Sequence, residues 1–363
     1  MRVVTFGEVM LRLAPAGKYR LSQVIPGELQ ATFGGGELNV AVSIARQGGQ
    51  AAFLTAVPDN VVTDSLVAEL RRWNVDADLI QRDKSGRFGI YFVETGANQR
   101  GGTVTYDRDQ ACIALRGPDK YDWNTAFTGA DWFHITGITP ALSSPAAASA
   151  LAAVQEAKKR GLATSCDLNF RKKLWKWKSG TKPADLARET MQQLVASLDV
   201  VIANEEDAEL TLGIHSEGTS VEHGQINLEG YESVARQIAS QYPNVKKVAI
   251  TLRESYSADH NNWGAMLLDV ATDTAHFAPL NDEGTYEPYE MRNIVDRVGA
   301  GDSFAGALIF ALRTPELSKP ETVLRYAVAA SCLKHTVWGD FNDVSRAEIE
   351  ALMNGSGSGR VQR

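Results

Sequence analysis

Short apolar runs rich in β-branched residues recur along the chain, separated by longer stretches in which apolar residues return every third or fourth position. The runs Val3–Phe6, Ala52–Ala56, Trp132–Ile135, Ala163–Asp167, Val200–Ala203 and Val248–Leu252 read as strands. Between them, Asp64–Trp73, Pro145–Arg160, Ala184–Ala196 and Tyr231–Gln241 carry helical periodicity. This alternation predicts an α/β fold, a doubly wound and mostly parallel sheet with helices on both faces. In such sheets ligands gather at the carboxyl ends of strands, and polar loops follow several of these runs.

Two regions break the alternation. Residues 11–33 are turn-rich, and residues 88–113 read as extended runs joined at Gly101 and Gly102. Gly89–Glu94 and Thr103–Tyr106 look like a hairpin with no helix attached. Strands of that kind do not join a parallel sheet easily, so both regions are assigned to a small β appendage. The expected organisation is one α/β domain over 1–353 with this appendage inserted, followed by a flexible tail, 354–363, of Gly/Ser linker composition.

Composition narrows the function classes. A chain of 363 residues with 44% hydrophobic content can bury one large core or one core plus an appendage. A net charge of −7 argues against nucleic acid or an anionic membrane as main partner, since both need basic patches. The chain has no apolar run long enough to span a bilayer, and its first residues are too short a stretch for a signal peptide. Cys112, Cys166 and Cys332 are odd in number and far apart, which fits a reducing compartment and a cytoplasmic location. The histidines show no helical i, i+4 pairing, and there is neither a Cys-x-x-Cys nor a Walker A loop. His134, inside a strand, is expected to be structural.

The chemistry concentrates in Val295–Phe304. Gly299, Ala300 and Gly301 allow backbone amides to approach an anion at the start of an apolar helical run. Asp302 stands where that helix is expected to begin, as an N-cap and as a carboxylate aimed at whatever the loop holds. A carboxylate repels phosphate, so its presence points to a base that takes a proton from an attacking hydroxyl. The loop thus suggests phosphoryl transfer to an alcohol, and the competing reading is a tight turn with a capping Asp. Far upstream, Gly34, Gly35 and Gly36 lead into the apolar run from Val40. Three consecutive glycines cost backbone entropy and add no buried surface, so their expected use is to seat a small polar ligand against bare backbone.

Together the two motifs resemble the PfkB (ribokinase-like) family of carbohydrate kinases. Its Gly-Gly-x-x-x-Asn signature corresponds to the run ending at Asn39, and its Asp-Thr-x-Gly-Ala-Gly-Asp signature to Asp296–Asp302, with Arg297 in place of Thr. The resemblance implies a ribokinase-like fold in which the β appendage is a lid over the sugar and often the dimer contact, making a homo-oligomer the expected state. It also implies ATP and Mg2+. Within the family the resemblance is nearest to kinases of 2-keto-3-deoxygluconate, carried by Asp167–Arg171, His134–Ser143 and the Tyr-x-Arg of Tyr106 and Arg108. Position by position, Gly35 (or Gly34, the register being uncertain by one), Asn39, Tyr91, Tyr106, Arg108, Ile138, Arg171 and Asp340 would line the sugar pocket. Arg108 and Arg171 would grip the carboxylate of a sugar acid.

The nucleotide side implied by the resemblance comprises Asn204, Thr251, Arg253, Gly299 and Gly301. Asp207, with Glu205 or Glu206 as substitutes, would reach magnesium through water. An acidic first helical turn favoured by the helix dipole accounts for Asp207 equally well. After Leu252 the family's glycines are replaced by Arg253 and a polar insertion running to Gly264. The expected activity is ATP-dependent phosphorylation of the C6 hydroxyl of 2-keto-3-deoxygluconate. The alternatives are a kinase of a neutral ketose or another keto-deoxy sugar, and a catalytically silent sugar-acid sensor.

Overall fold

In the first strand, Arg2–Phe6 (β1), successive apolar side chains leave opposite faces, and Val3 and Val4 enter two different cores, both fully buried. A strand covered on both sides reads as a continuous apolar run, which is why this one was visible in the sequence. The computed structural model describes residues 2–204, 206–215 and 227–355. The remaining strands are Met10–Ala14 (β2), Gln30–Gly34 (β3), Gln50–Pro58 (β4), Val75–Asp76 (β5), Ile80–Asp83 (β6), Gly89–Glu94 (β7) and Thr103–Asp107 (β8). They continue with Ala130–Thr136 (β9), Ala163–Asp167 (β10), Val200–Ala203 (β11), Lys247–Ser257 (β12), His260–Asp269 (β13), Thr274–Ala278 (β14) and Tyr289–Arg292 (β15).

The main sheet runs β14-β13-β12-β11-β10-β9-β1-β4-β5, with β15 on β13 and β6 on β4. Pairing is parallel from β12 across to β5 and β6, and antiparallel at β13, β14 and β15. Helices Ser144–Lys159, Pro183–Val195 and Leu228–Gln241 pack into one core, and Gly36–Arg46, Ala300–Arg313 and Pro320–Lys334 into the other. The fold is therefore the mostly parallel α/β sandwich expected. Among the described residues no helix is long and apolar enough to cross a membrane.

One sequence expectation needs correction, the insertion after Leu252, whereas the β appendage expected over 11–33 is found in β2 and β3. Their alternation is hidden because an inward position of β2, between Met10 and Ala14, is the charged Arg12. The polar insertion after Leu252 is the continuation of β12, which pairs with β13 as far as Ser257. Those residues form a ribbon with exposed positions at Arg253, Ser255 and Tyr256, so no apolar period marks the strand.

The second sheet has the order β3-β2-β7-β8, antiparallel except for the parallel β2–β7 pair. It is the lid, and a buried ion-pair triad ties it to the main body. Arg12 is wholly inaccessible and donates from Nη2 to Asp296 Oδ2 at 2.5 Å and from Nη1 to Asp340 Oδ1 at 2.7 Å. Its guanidinium also lies over the Trp338 ring, 5.4 Å from the centroid. Burial opposes its charge, but the two carboxylates hold its pKa above that of an ordinary arginine. Arg12→Met would strand two buried carboxylates and should lower unfolding free energy by about 3–5 kcal/mol, measured by urea denaturation. A loss below about 1 kcal/mol, the scale of an exposed pair, would show that water reaches the triad.

Candidate active site

The loop before helix Ala300–Arg313 is shaped by backbone limits. Asp296 Oδ1 accepts from Val298 N at 3.0 Å, and Gly299 then takes a left-handed conformation with φ 84°. A Cβ at Gly299 would lie 2.1 Å from the Asp340 carbonyl oxygen, so glycine is required twice over. Gly299 is the N-cap, and Asp302 is the third helical residue rather than the cap. The helix begins earlier than expected because the left-handed glycine ends the loop before Ala300. The competing capping reading loses its footing, since the Asp302 carboxylate binds Asn39, accepting from Nδ2 at 2.7 Å.

Asp302 keeps part of its surface on the cavity while the surrounding protein desolvates it. Burial pushes its carboxyl up to about 6. The Asn39 bond opposes this, Asp340 adds to it, and Arg171 and Lys334 pull it back. Asn39 is shared, with a longer bond to Asp340 Oδ2 at 3.4 Å. Asp340 Oδ2 also accepts from the Tyr91 hydroxyl at 2.7 Å, so the C-terminal Asp is fixed from three elements.

The glycine run proves to be partly a packing device, which corrects the expectation from sequence. A Cβ on Gly34 would sit 2.3 Å from both Asp340 Oδ2 and the Tyr91 hydroxyl, and one on Gly35 would sit 2.1 Å from the Glu8 carbonyl. Gly36 is looser, 3.3 Å from Thr136 Cγ2 and 3.5 Å from Asp302 Oδ1. Gly35 and Gly36 reach the cavity wall; Gly34 lies behind it.

A cavity of about 940 Å³ opens at the carboxyl ends of β9 to β12, under the lid. Apart from Gly34, every site residue expected from the sequence lines it. Tyr91, Tyr106, Arg108, Ile138, Arg171 and Asp340 are there with Asn204, Asp207, Thr251, Arg253 and the loop from Gly299 to Asp302. Arg108 does not stand alone. It forms a buried ion pair with Glu8 and lies 5.1 Å from the Tyr106 ring centroid. Burial raises the Glu8 carboxyl, and Arg108 counters it. Arg171 is exposed, donates to the Phe170 carbonyl at 3.2 Å, and favours ionisation of Asp302 and Asp167.

On the other side, Asp207 is buried and accepts from Phe170 N at 2.8 Å and Asn204 N at 3.2 Å. Asn204 Oδ1 accepts from the amides of Glu206 and Asp207, which ties it to the start of the short helix Asp207–Leu212. Glu206 is exposed, and Glu205 lies outside the described residues. Asp167 is raised well above the carboxylate range by burial, then by Asp207 and Asp302. Asp167 thus sits in the field of two further carboxylates, Asp207 and Asp302. Among the described residues, however, no cluster of three His, Cys, Asp or Glu could hold a metal on its own.

The sequence reading missed several supports. Glu37 accepts from Thr136 N and Oγ1 at 2.9 Å and from Thr139 Oγ1 at 2.8 Å, fixing the turn that presents Ile138. Burial pushes its carboxyl up to about 7. Glu8, Glu37 and Asp167 are single acids next to apolar runs, and only tertiary structure brings them together. Arg12 is missed for the same reason. His134, as expected, is buried with Nδ1 2.9 Å from Ser165 Oγ, and burial lowers its pKa to about 3.

The model of the pfkB family carbohydrate kinases matches residues 1–252. The crystal structure of 2-dehydro-3-deoxygluconokinase from Thermotoga maritima superposes with a TM-score of 0.87 at 41% identity, covering 98% of this chain and 100% of that one. The 2-dehydro-3-deoxygalactonokinase of Haloferax volcanii is 30% identical over 357 residues, 98% of each chain. Probable fructokinase-2 of Arabidopsis thaliana is 26% identical over 344 residues, 93% of this chain and 91% of its own.

Gly35→Ala should lower unfolding free energy by about 1–3 kcal/mol, because its Cβ meets a carbonyl rather than a flexible side chain. Unchanged urea midpoint and slope would mean that the β1–β2 connection and helix Gly36–Arg46 separate at little cost.

Proposed function

The chain belongs to the pfkB family of carbohydrate kinases, and from that premise we propose that it phosphorylates the C6 hydroxyl of 2-keto-3-deoxygluconate. The observation that carries the reading is Asp302, a carboxylate pushed up to about 6 at an anion-binding helix start, in the same cavity as Arg171. Asp302 takes the proton of the attacking hydroxyl, and a base is most useful when its pKa approaches the working pH. Amides of Gly299, Ala300 and Gly301 lie at the helix start and stabilise charge on the transferred group.

Arg171, reinforced by Arg108 within its Glu8 pair, takes the sugar carboxylate. Gly35, Asn39, Tyr91, Tyr106, Ile138 and Asp340 shape the sugar side. Asn204, Thr251 and Arg253 face the nucleotide. ATP would be the donor, and magnesium, which Asp207 would help hold, would neutralise phosphate charge. The unit is residues 1–353 with the lid. The exposed, one-sided pairing of β8 leaves an open edge through which two lids can associate into a dimer. Residues 356–363 of the expected tail lie outside the described residues. A coupled assay comparing 2-keto-3-deoxygluconate, its galactonate epimer, fructose and ribose tests the assignment; fructose as the best substrate would overturn it.

Asp302→Asn should leave sugar and nucleotide binding intact while turnover falls by roughly 10²–10⁴-fold, the usual worth of a positioned base. Turnover within a few-fold of the parent would remove Asp302 from that role. The pH profile follows from the raised carboxyl. The base is active only when ionised, and its ionised fraction rises as pH climbs through about 6. Below that value kcat/KM should fall tenfold per pH unit. A plateau extending to the ordinary Asp pKa near ~4 would contradict it.

Arg171→Ala should reduce kcat/KM for 2-keto-3-deoxygluconate by roughly 10- to 150-fold, the scale of a charge-assisted hydrogen bond. Weak phosphorylation of fructose should change much less, and Arg171→Lys should rescue only in part. Equal losses on both substrates would make Arg171 structural.

A further inference from the structure

Glu8 is a buried acid for which the transfer chemistry has no direct use. It lies in the connection between β1 and β2, where the chain leaves the main body for the lid. The Glu8 and Arg108 side chains are only 2% and 8% exposed, and Arg108 Nη2 donates to Glu8 Oε2. Among the described residues this is the sole hydrogen bond of the Arg108 side chain, and its Nε has no partner. The main chain around Glu8 is wedged in place. A Cβ on Gly35 would stand 2.1 Å from the Glu8 carbonyl oxygen, and one on Gly7 would stand 2.0 Å from Glu37 Oε2. Gly89 vacates the space that the carboxylate crosses: a Cβ there would lie 2.9 Å from Glu8 Oε1 and 3.5 Å from Arg108 Cβ.

Arg108 is anchored differently. It follows β8, an edge strand paired on one side and largely exposed. Its main chain closes a turn, the carbonyl accepting from Ala111 N at 3.2 Å, but within the lid its guanidinium rests only on the Tyr106 ring. A long side chain loses rotamer freedom when a ligand engages it, and a partner that fixes it beforehand spares that loss.

We propose that Glu8 is a positioning residue for acceptor binding: it holds Arg108 against the cavity wall, so that the sugar meets a guanidinium referenced to the main body and not to the lid edge. The inference rests on the kinase reading with Arg108 on the sugar side, but not on which sugar is the acceptor. Glu8 stands behind the cavity wall, and its influence passes through Arg108. Losing it should weaken acceptor binding, leave use of the donor unchanged, and have no effect once Arg108 is gone.

A double-mutant cycle with Glu8→Gln and Arg108→Met tests this, read by calorimetric titration with 2-keto-3-deoxygluconate and by steady-state kinetics. Glu8→Gln keeps an acceptor but turns a charge-assisted bond into a neutral one. It should weaken sugar affinity by roughly 5- to 20-fold, with kcat and the KM for ATP within about twofold of the parent. In the Arg108→Met background the same change should alter sugar affinity by less than about twofold. Losses that multiply in the double variant, or a parallel rise in the KM for ATP, would make Glu8 a general support of the β1–β2 connection and overturn the proposal. Unchanged sugar affinity in Glu8→Gln would overturn it too. If Glu8→Gln does not fold, Gly89→Ala takes its place under the same criteria, since its Cβ crowds Glu8 Oε1 while both charges remain. If Arg108→Met does not fold, Arg108→Gln replaces it. A wrong acceptor shows as no titration with the parent and as another best substrate in the coupled assay. The cycle is then run with that substrate, so the two failures are read separately.

Discussion

The active site depends on one buried cation. Arg12 comes from the lid, yet both of its carboxylate partners belong to the main body, at either end of the segment 296–340 that begins with the glycine–aspartate loop. Asp296 also receives the Gly339 amide at 3.1 Å and the Val298 amide, so one guanidinium braces the loop entering helix Ala300–Arg313 and the turn that carries Asp340. An arginine suits this post, because its charge persists over the whole physiological range and its fork can serve two acids at once. Lys334 lies buried in the same field, donating to the Val337 carbonyl at 3.1 Å. Burial lowers its pKa, and Asp296 and Asp340 oppose that change. The floor of the site is therefore an alternating lattice of acids and bases.

That lattice separates the acids by role. Asp340 and Asp296 are saturated by Arg12 and by neutral donors. Asp302 receives one bond, from Asn39, and its balance tips toward the proton. Burial is the chief cause of that raised proton affinity, and the Asn39 bond and the cations Arg171 and Lys334 oppose it. Arg171 bears on the same balance from the rim, where a ligand that claims its charge also changes what Asp302 feels.

Much of the fold was legible because the parallel strands are covered on both faces. Ala163–Asp167 and Val200–Ala203 appear in the sequence as apolar runs and end at the residues read from it. Helix Val61–Arg72 began earlier than Asp64, since Asn60 caps it by accepting from Val62 and Thr63 amides, and two valines at a helix start imitate a strand. Residues 11–33 were placed in the β appendage, but its strands β2 and β3 were not delimited there, because an inward arginine broke the period of β2. At the site, the glycine–aspartate loop announced itself by composition, as did Asp340 through its resemblance. Glu8, Glu37, Asp167 and Arg12 did not, because a single charged residue beside an apolar run has no local mark that it will be buried. Arg297 was noticed only as a departure from a motif, and its surroundings came from β12 and β13, far away in the chain.

Gly299 joins the two halves of the cavity by main chain alone. The space where its side chain would stand is filled by the Asp340 carbonyl, so the helix start and the sugar-side turn touch without any side chain between them. Their separation is set by direct backbone contact, not by rotamers. Side chains around the cavity can therefore be exchanged while the helix start and the Asp340 turn keep their spacing. The lining of the pocket and the geometry of the glycine–aspartate loop are thus separable variables in this architecture.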